Sequence, residues 1–184
     1  MLNVLILFLI WNQKKNLSLK PLLIVLNSVK SPEINQLLQD LKAGDQSVRS
    51  QATSKLWQLW FEQKGNLGLE LLKKSQLLLE SGEVEKAEKL LTKTIKSYPD
   101  FAEAWNRRAV LYFTQEKYEK SKRDCERVVQ LVPYHFGAWH GLGLCLTALG
   151  YYYEAIGAFR EALAIQPHAL INQKLILECT ALLS

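Results

Sequence analysis

The sequence predicts an all-α fold: a helical-repeat solenoid of three helix pairs, with flanking helices before it and a capping helix after it. Three observations carry that reading. Landmarks recur every 34 residues, Pro99 with Pro133 and Pro167, Trp105 with Trp139, and Val84 with Tyr118 and Tyr152. A fixed period in that range marks a stacked supersecondary unit that cannot bury its apolar face alone. Small residues recur in the same frame, Ser75, Ala109 and Gly143 in one half of each unit and Ala87, Ser121 and Ala155 in the other, as two closely crossing helices require. Between the halves stand Gly82 and Gly150, with Glu116 at that place in the middle unit, where a left-handed turn residue is expected.

The chain opens on an apolar run, residues 2–11, followed by Lys14, Lys15 and Lys20 and a second apolar stretch at Leu22 to Leu26. Ten residues cannot cross a bilayer, which needs about 20 in a helix. A secretory signal would carry its charges before the run and a small-residue cleavage site after it. Three readings of residues 1–33 stay open: a membrane-surface or signal-anchor stretch, a misassigned start, or a hydrophobic arm packing on the domain. Any membrane association is expected only through residues 2–26.

Residues 34–66 are expected to form two flanking helices. Ser31-Pro32 breaks what precedes them, and Ile34, Leu37, Leu38 and Leu41 follow at helical spacing. Asp45 or Ser47 can cap the second helix, which carries Ala52, Leu56, Leu59 and Trp60 on one stripe with Trp57 and Phe61 beside it. So much aromatic surface is costly to leave in water, and the helix is expected to pack against the first repeat. The repeats fill residues 67–167 in units 68–101, 102–135 and 136–169. First helices are expected near 67–80, 102–114 and 136–148, and second helices near 83–97, 117–131 and 151–165, each ended by a proline. Residues 168–184 then read as the cap.

Composition narrows the function classes. Of the net charge of +5, residues 1–66 hold 8 basic against 4 acidic groups and residues 67–184 hold 15 against 14. Nearly neutral repeats argue against a polyanionic ligand. Cys125, Cys145 and Cys179 form no C-x-x-C pair and are odd in number, which favours reduced, buried thiols inside a cell. His135, His140 and His168 lack the helical spacing of metal ligands and read as surface or groove residues, so neither metal nor cofactor is expected. Gly141-Leu142-Gly143 lies within a helix and cradles no phosphate, and no nucleophile-base constellation appears, so the chain reads as a non-enzyme.

The frame of Trp, small residue, Tyr, small residue, Phe and Pro resembles the tetratricopeptide repeat (TPR) family. The likeness is clearest in units two and three; in unit one Leu71 stands for Trp and Lys74 for Leu. The run from LWQLWF through WNRRAVLYF to FGAWHGLGLCLTALG is also similar to small bacterial and plant-organelle TPR proteins of undefined role, which leaves a plastid or other organelle open as location. The resemblance implies a protein-interaction scaffold whose first helices line a concave groove taking a peptide or helix of a partner. Carried over place by place, the groove residues are Leu72, Gln76 and Leu79, then Asn106, Arg107, Val110 and Phe113, then His140 and Leu144. Arg107, Asn106 and His140 are expected to face the open groove. The chaperone-tail subclass of the family uses lysines, asparagines and an arginine where this chain has Leu72, Gln76, Arg107, Gly137 and Gly141, which argues against a chaperone C-terminal tail as partner. Arg108 falls on the inner stripe and is expected to pair or pack internally. The alternatives are an RNA-binding helical-repeat protein and a purely structural assembly subunit. The basic cluster Lys117, Lys120, Lys122, Arg123 and Arg127 is interleaved with Glu116, Glu119, Asp124 and Glu126, the pattern of a solvated face, so no nucleic acid is expected.

Overall fold

A computed structural model describes residues 31–183. The apolar segments at 2–11 and 22–26 lie outside the described residues. Contacts divide the chain into two units, residues 1–36 and 37–184. Of the first, Ser31 and the opening turns of α1 (Pro32–Asp40) are described. Ser31 Oγ accepts the Ile34 amide at 3.2 Å, and Pro32 sits in the first turn, where its missing N–H costs nothing.

The second unit is helical throughout its described residues. After the end of α1 come α2 (Gln46–Phe61), α3 (Gly65–Glu80), α4 (Val84–Ser97), α5 (Ala102–Thr114), α6 (Tyr118–Leu131), α7 (Phe136–Ala148), α8 (Tyr152–Ile165) and α9 (Leu170–Ala181). Asp45 caps α2, its Oδ1 accepting the Ser47 amide at 2.6 Å. Within each pair the turn is left-handed at one residue: Gly82 at φ +75°, Gly150 at φ +81° and Glu116 at φ +57°. Only Glu116 carries a Cβ there, and it bears the strain the two glycines avoid.

Close crossing explains the recurrent small residues. Ser75, Ala87, Ala109, Ser121, Gly143 and Ala155 are all buried. A Cβ on Gly143 would stand 2.4 Å from the Phe159 ring, and Ser121 Oγ donates to the Ala109 carbonyl at 2.8 Å across the α5–α6 crossing. The landmark tryptophans pin each unit to the turn before it: Trp105 Nε1 donates to the Pro99 carbonyl at 3.1 Å, and Trp139 Nε1 to that of Pro133 at 2.9 Å. The core runs in three stretches. Leu72, Ala87, Leu91, Ile95 and Phe101 fill unit one and its junction with α5. Leu142, Leu146, Ile156 and Phe159 fill unit three, with Cys179 of α9 against them.

The third stretch carries α2 beyond the first repeat. Leu56 and Trp60 of α2 pack among Ala102, Val128, Val132, Phe136 and Ala138, at the turns around units two and three, while Phe61 at the end of the same helix packs on the core of unit one, as expected. Midway along it Thr53 Oγ1 accepts the Gln166 amide at 3.0 Å, while just past its C-terminus the Gln63 amide donates to the Asp100 carbonyl at 2.8 Å. The helix therefore runs along the inter-unit turns. The reason is surface supply: those turns present Val132, His135 and Phe136, a broad apolar face that the wide Trp57, Trp60 and Phe61 stripe can cover. Among the described residues no helix is long and apolar enough to cross a membrane.

Candidate functional site

The residues expected to line a groove lie on α3, α5 and α7, and they divide by depth. Val110 is the most open, 54% exposed at mid-helix on α5. Gln76, Leu79, Phe113 and Leu144 are half-buried. Phe113 meets Tyr118 edge-on at 5.3 Å, and the Gln76 amide donates to Glu80 at 2.9 Å.

Two expected groove residues are not on the open surface. Leu72 is 2% exposed and belongs to the core of unit one with Leu91 and Phe101. Asn106 is 8% exposed, and its amide donates to Glu103 Oε2 at 3.0 Å. Arg107 is half-buried between three partners: its Nε donates to Glu103 Oε1 at 3.0 Å, its Nη1 to Gln76 Oε1 at 2.8 Å, and its guanidinium lies over the Phe61 ring at 5.1 Å. The surface role expected of Arg107 is thus shared with a structural one. His140 is half-buried and spent on the closing helix, its Nδ1 2.7 Å from Asn172 Oδ1.

The largest departure from the sequence reading is His135, expected at the surface or in the groove and found fully buried. Its ring stacks on Trp60, and its Nδ1 accepts the Ala138 amide at 3.0 Å, capping α7. With Nδ1 accepting, the ring proton sits on Nε2, which faces Glu103 Oε2 at 3.4 Å. Glu103 is itself 1% exposed, so its carboxylate depends on Arg107, Asn106 and His135 for compensation. Sequence reasoning missed this cluster. The available signal was that Glu103 holds the place occupied by Leu69 and Gly137 in the other units, a charge where its equivalents are apolar or bare.

The aromatic end of α2 reaches the same cluster. Trp57 closes on Gly137, where a Cβ would stand 2.9 Å from the indole, and Phe61 lies under Arg107. The remaining expected groove residues are Gln76 with Leu79, Val110 with Phe113, and Leu144, of which Val110 alone is exposed.

Arg108, one residue on from Arg107, turns inward. It grips Asp124 with two bonds, Nε to Oδ2 at 2.7 Å and Nη2 to Oδ1 at 2.9 Å, and gives a third to Thr92 Oγ1 at 3.0 Å. Burial raises the Asp124 carboxyl in spite of the pairing; at Arg108 burial works to lower the guanidinium, but the bonds it donates to Asp124 and that carboxylate's charge outweigh it and raise it. The Tyr112 hydroxyl donates to Glu88 at 3.0 Å, and burial together with that bond pushes its pKa up to about 12. Cys125, Cys145 and Cys179 are buried and unpaired by disulfides. No cluster of three His, Cys, Asp or Glu stands within metal-ligating reach among the described residues.

The tetratricopeptide repeat models match residues 72–134 and 136–169. A TPR repeat-containing protein of Rhizobium etli is 31% identical over 144 residues, which is 77% of this chain and 71% of that one. Anaphase-promoting complex subunit 3 of Schizosaccharomyces pombe is 27% identical over 101 residues, 55% of this chain and 15% of its own length. The first TPR of Spaghetti (RPAP3), solved bound to the HSP90 peptide SRMEEVD, superposes with a TM-score of 0.60 at 24% identity, covering 63% of this chain and 93% of that one. The structure of MamA AMB-1 superposes at 0.57 and 23% identity, over 81% of this chain and 79% of that one.

Proposed function

Since this chain belongs to the tetratricopeptide repeat family, we propose that it is a protein-interaction scaffold taking a peptide or helix of a partner on its concave face. The observation that carries the reading is Val110, a large apolar side chain left open on α5, with Phe113 half-buried three residues on and Leu79 and Leu144 half-buried on α3 and α7. Such a strip suits the apolar face of an amphipathic helix or the alternate side chains of an extended peptide. Arg107 borders the strip and can take one acidic group of the partner without leaving Glu103 unpaired, since only part of its donor set is used by Glu103 and Gln76. The solved complex of the RPAP3 domain with an HSP90 peptide supports peptide binding as a use of this fold.

The same peptide is a poor fit here. Leu72 stands in the core and Gly137 lies under Trp57, so two of the places that would grip a terminal carboxylate carry no polar group. A reducing compartment suits the three buried thiols. The test is capture of partners on the full chain, repeated with Val110→Glu. Loss of the captured protein with an unchanged melting temperature supports the groove, and equal retention overturns it. SRMEEVD peptide added to the full chain is expected to give no measurable binding.

A further inference from the structure

The closing helix α9 stands in the register of a first helix. Gln173 lies 34 residues after Trp139, and its amide donates to the Pro167 carbonyl at 3.3 Å, the bond that Trp105 and Trp139 make to Pro99 and Pro133. One side of α9 is used by unit three: Cys179 is buried, its Sγ 3.3 Å from Thr147 Oγ1, and Asn172 holds His140. The opposite side carries Leu170, Leu177 and Ala181, at i, i+7 and i+11, on one stripe. Leu170 is 72% exposed and Leu177 is 70% exposed.

In units one to three that side receives the second helix, at the close crossing set by Ser75, Ala109 and Gly143. Leu177 holds the equivalent place in α9. At Gly143 even a Cβ would come within 2.4 Å of the neighbouring ring, and a whole leucine there holds two helix axes apart. The slot therefore rejects the kind of helix that closes the other units. It suits a wider seam, about 8–10 Å between axes, in which leucines from both sides interdigitate.

We propose that α9 is a homodimer seam, pairing antiparallel with α9 of a second copy about a twofold axis near residue 176. The charges bordering the stripe select that partner. Lys174 and Glu178 stand two residues either side of 176, so the twofold brings Lys174 of each copy to Glu178 of the other, Leu170 towards Leu182, and Leu177 next to the axis. A parallel pairing would set Lys174 beside Lys174 and Glu178 beside Glu178. The two groups already pair within the helix at 3.6 Å, both exposed, and dimerisation joins two such pairs into a four-membered network. Leu182, 58% exposed, extends the apolar surface at the end of the seam.

Sedimentation equilibrium of the full chain tests this, read as mean mass against concentration up to about 100 µM, the range suited to a small interface. The expected result is a rise from one chain mass towards two, lost in Leu177→Glu with helix content unchanged by circular dichroism. Lys174→Glu alone and Glu178→Lys alone should each stay monomeric, because each sets like charges across the axis, and an equimolar mixture of the two should recover the dimer. A single-chain mass throughout overturns the proposal. So does association that both single charge variants retain, or that their mixture fails to restore, which would place the contact elsewhere on the chain.

Discussion

The indole of Trp60 lies flat on the imidazole of His135, ring centroids 3.9 Å apart and planes 18° apart. Through that contact a helix preceding the repeats is fastened to the cap of α7, and through His135 to the buried carboxylate of Glu103. Trp60→Ala should therefore cost about 3–5 kcal/mol, the range for removing a large buried aromatic. Chemical denaturation of the variant measures it; a loss below about 1 kcal/mol would mean that α2 is not held by this stack.

Gly143→Ala places a methyl 2.4 Å from Phe159, a fully buried ring with little room to retreat. Alanine favours the helix by about 1 kcal/mol over glycine, yet overpacking of this kind costs about 1–3 kcal/mol. The net expectation is a lower melting temperature. The same change at Gly157, where a Cβ meets nothing within 4 Å, should raise it.

Removing Arg108 strands Asp124, 4% exposed, without its two charge-assisted bonds. Arg108→Ala is expected to cost about 3–5 kcal/mol, as for a broken buried pair, while the double change Arg108→Met with Asp124→Leu should cost much less. Urea unfolding of the wild type, Arg108→Met, Asp124→Leu and the double variant gives the coupling directly. Strict additivity of the single and double variants would count against the pairing as the source of the loss.

Tyr112 gives the array an alkaline limit. Its folded pKa of about 12 exceeds the ordinary 10.0, so the folded state holds a proton that the unfolded chain releases between those values. More protons bound in the fold means stability falls as pH rises, fully present below about pH 10 and lost by about pH 12, by up to roughly 2 kcal/mol. Tyr112→Phe should flatten that part of the stability curve. A curve of unchanged slope above pH 10 would show that the hydroxyl is not the group responsible.

The period of 34 determined the repeat frame by itself, because proline, tryptophan and the left-handed turn residues act locally and report their own positions. It likewise placed the small residues at the crossings and turned Arg108 inward, both consequences of helical spacing. The burial of Leu72 and Asn106 was not legible, since a place in the repeat frame fixes the direction of a side chain but not what covers it. The position of α2 was only partly legible. Its aromatic stripe announced that it must be covered, and Phe61 does meet unit one, but Trp57 and Trp60 carry no address for the turns of units two and three. His135 and Glu103 went with it: polar in sequence, they are buried because Trp60 closes over the imidazole and Arg107 and Asn106 satisfy the carboxylate. The sequence determined the architecture through local and periodic terms; tertiary structure decided which of the expected groove residues stay exposed, because that depends on contacts between segments with no fixed spacing between them.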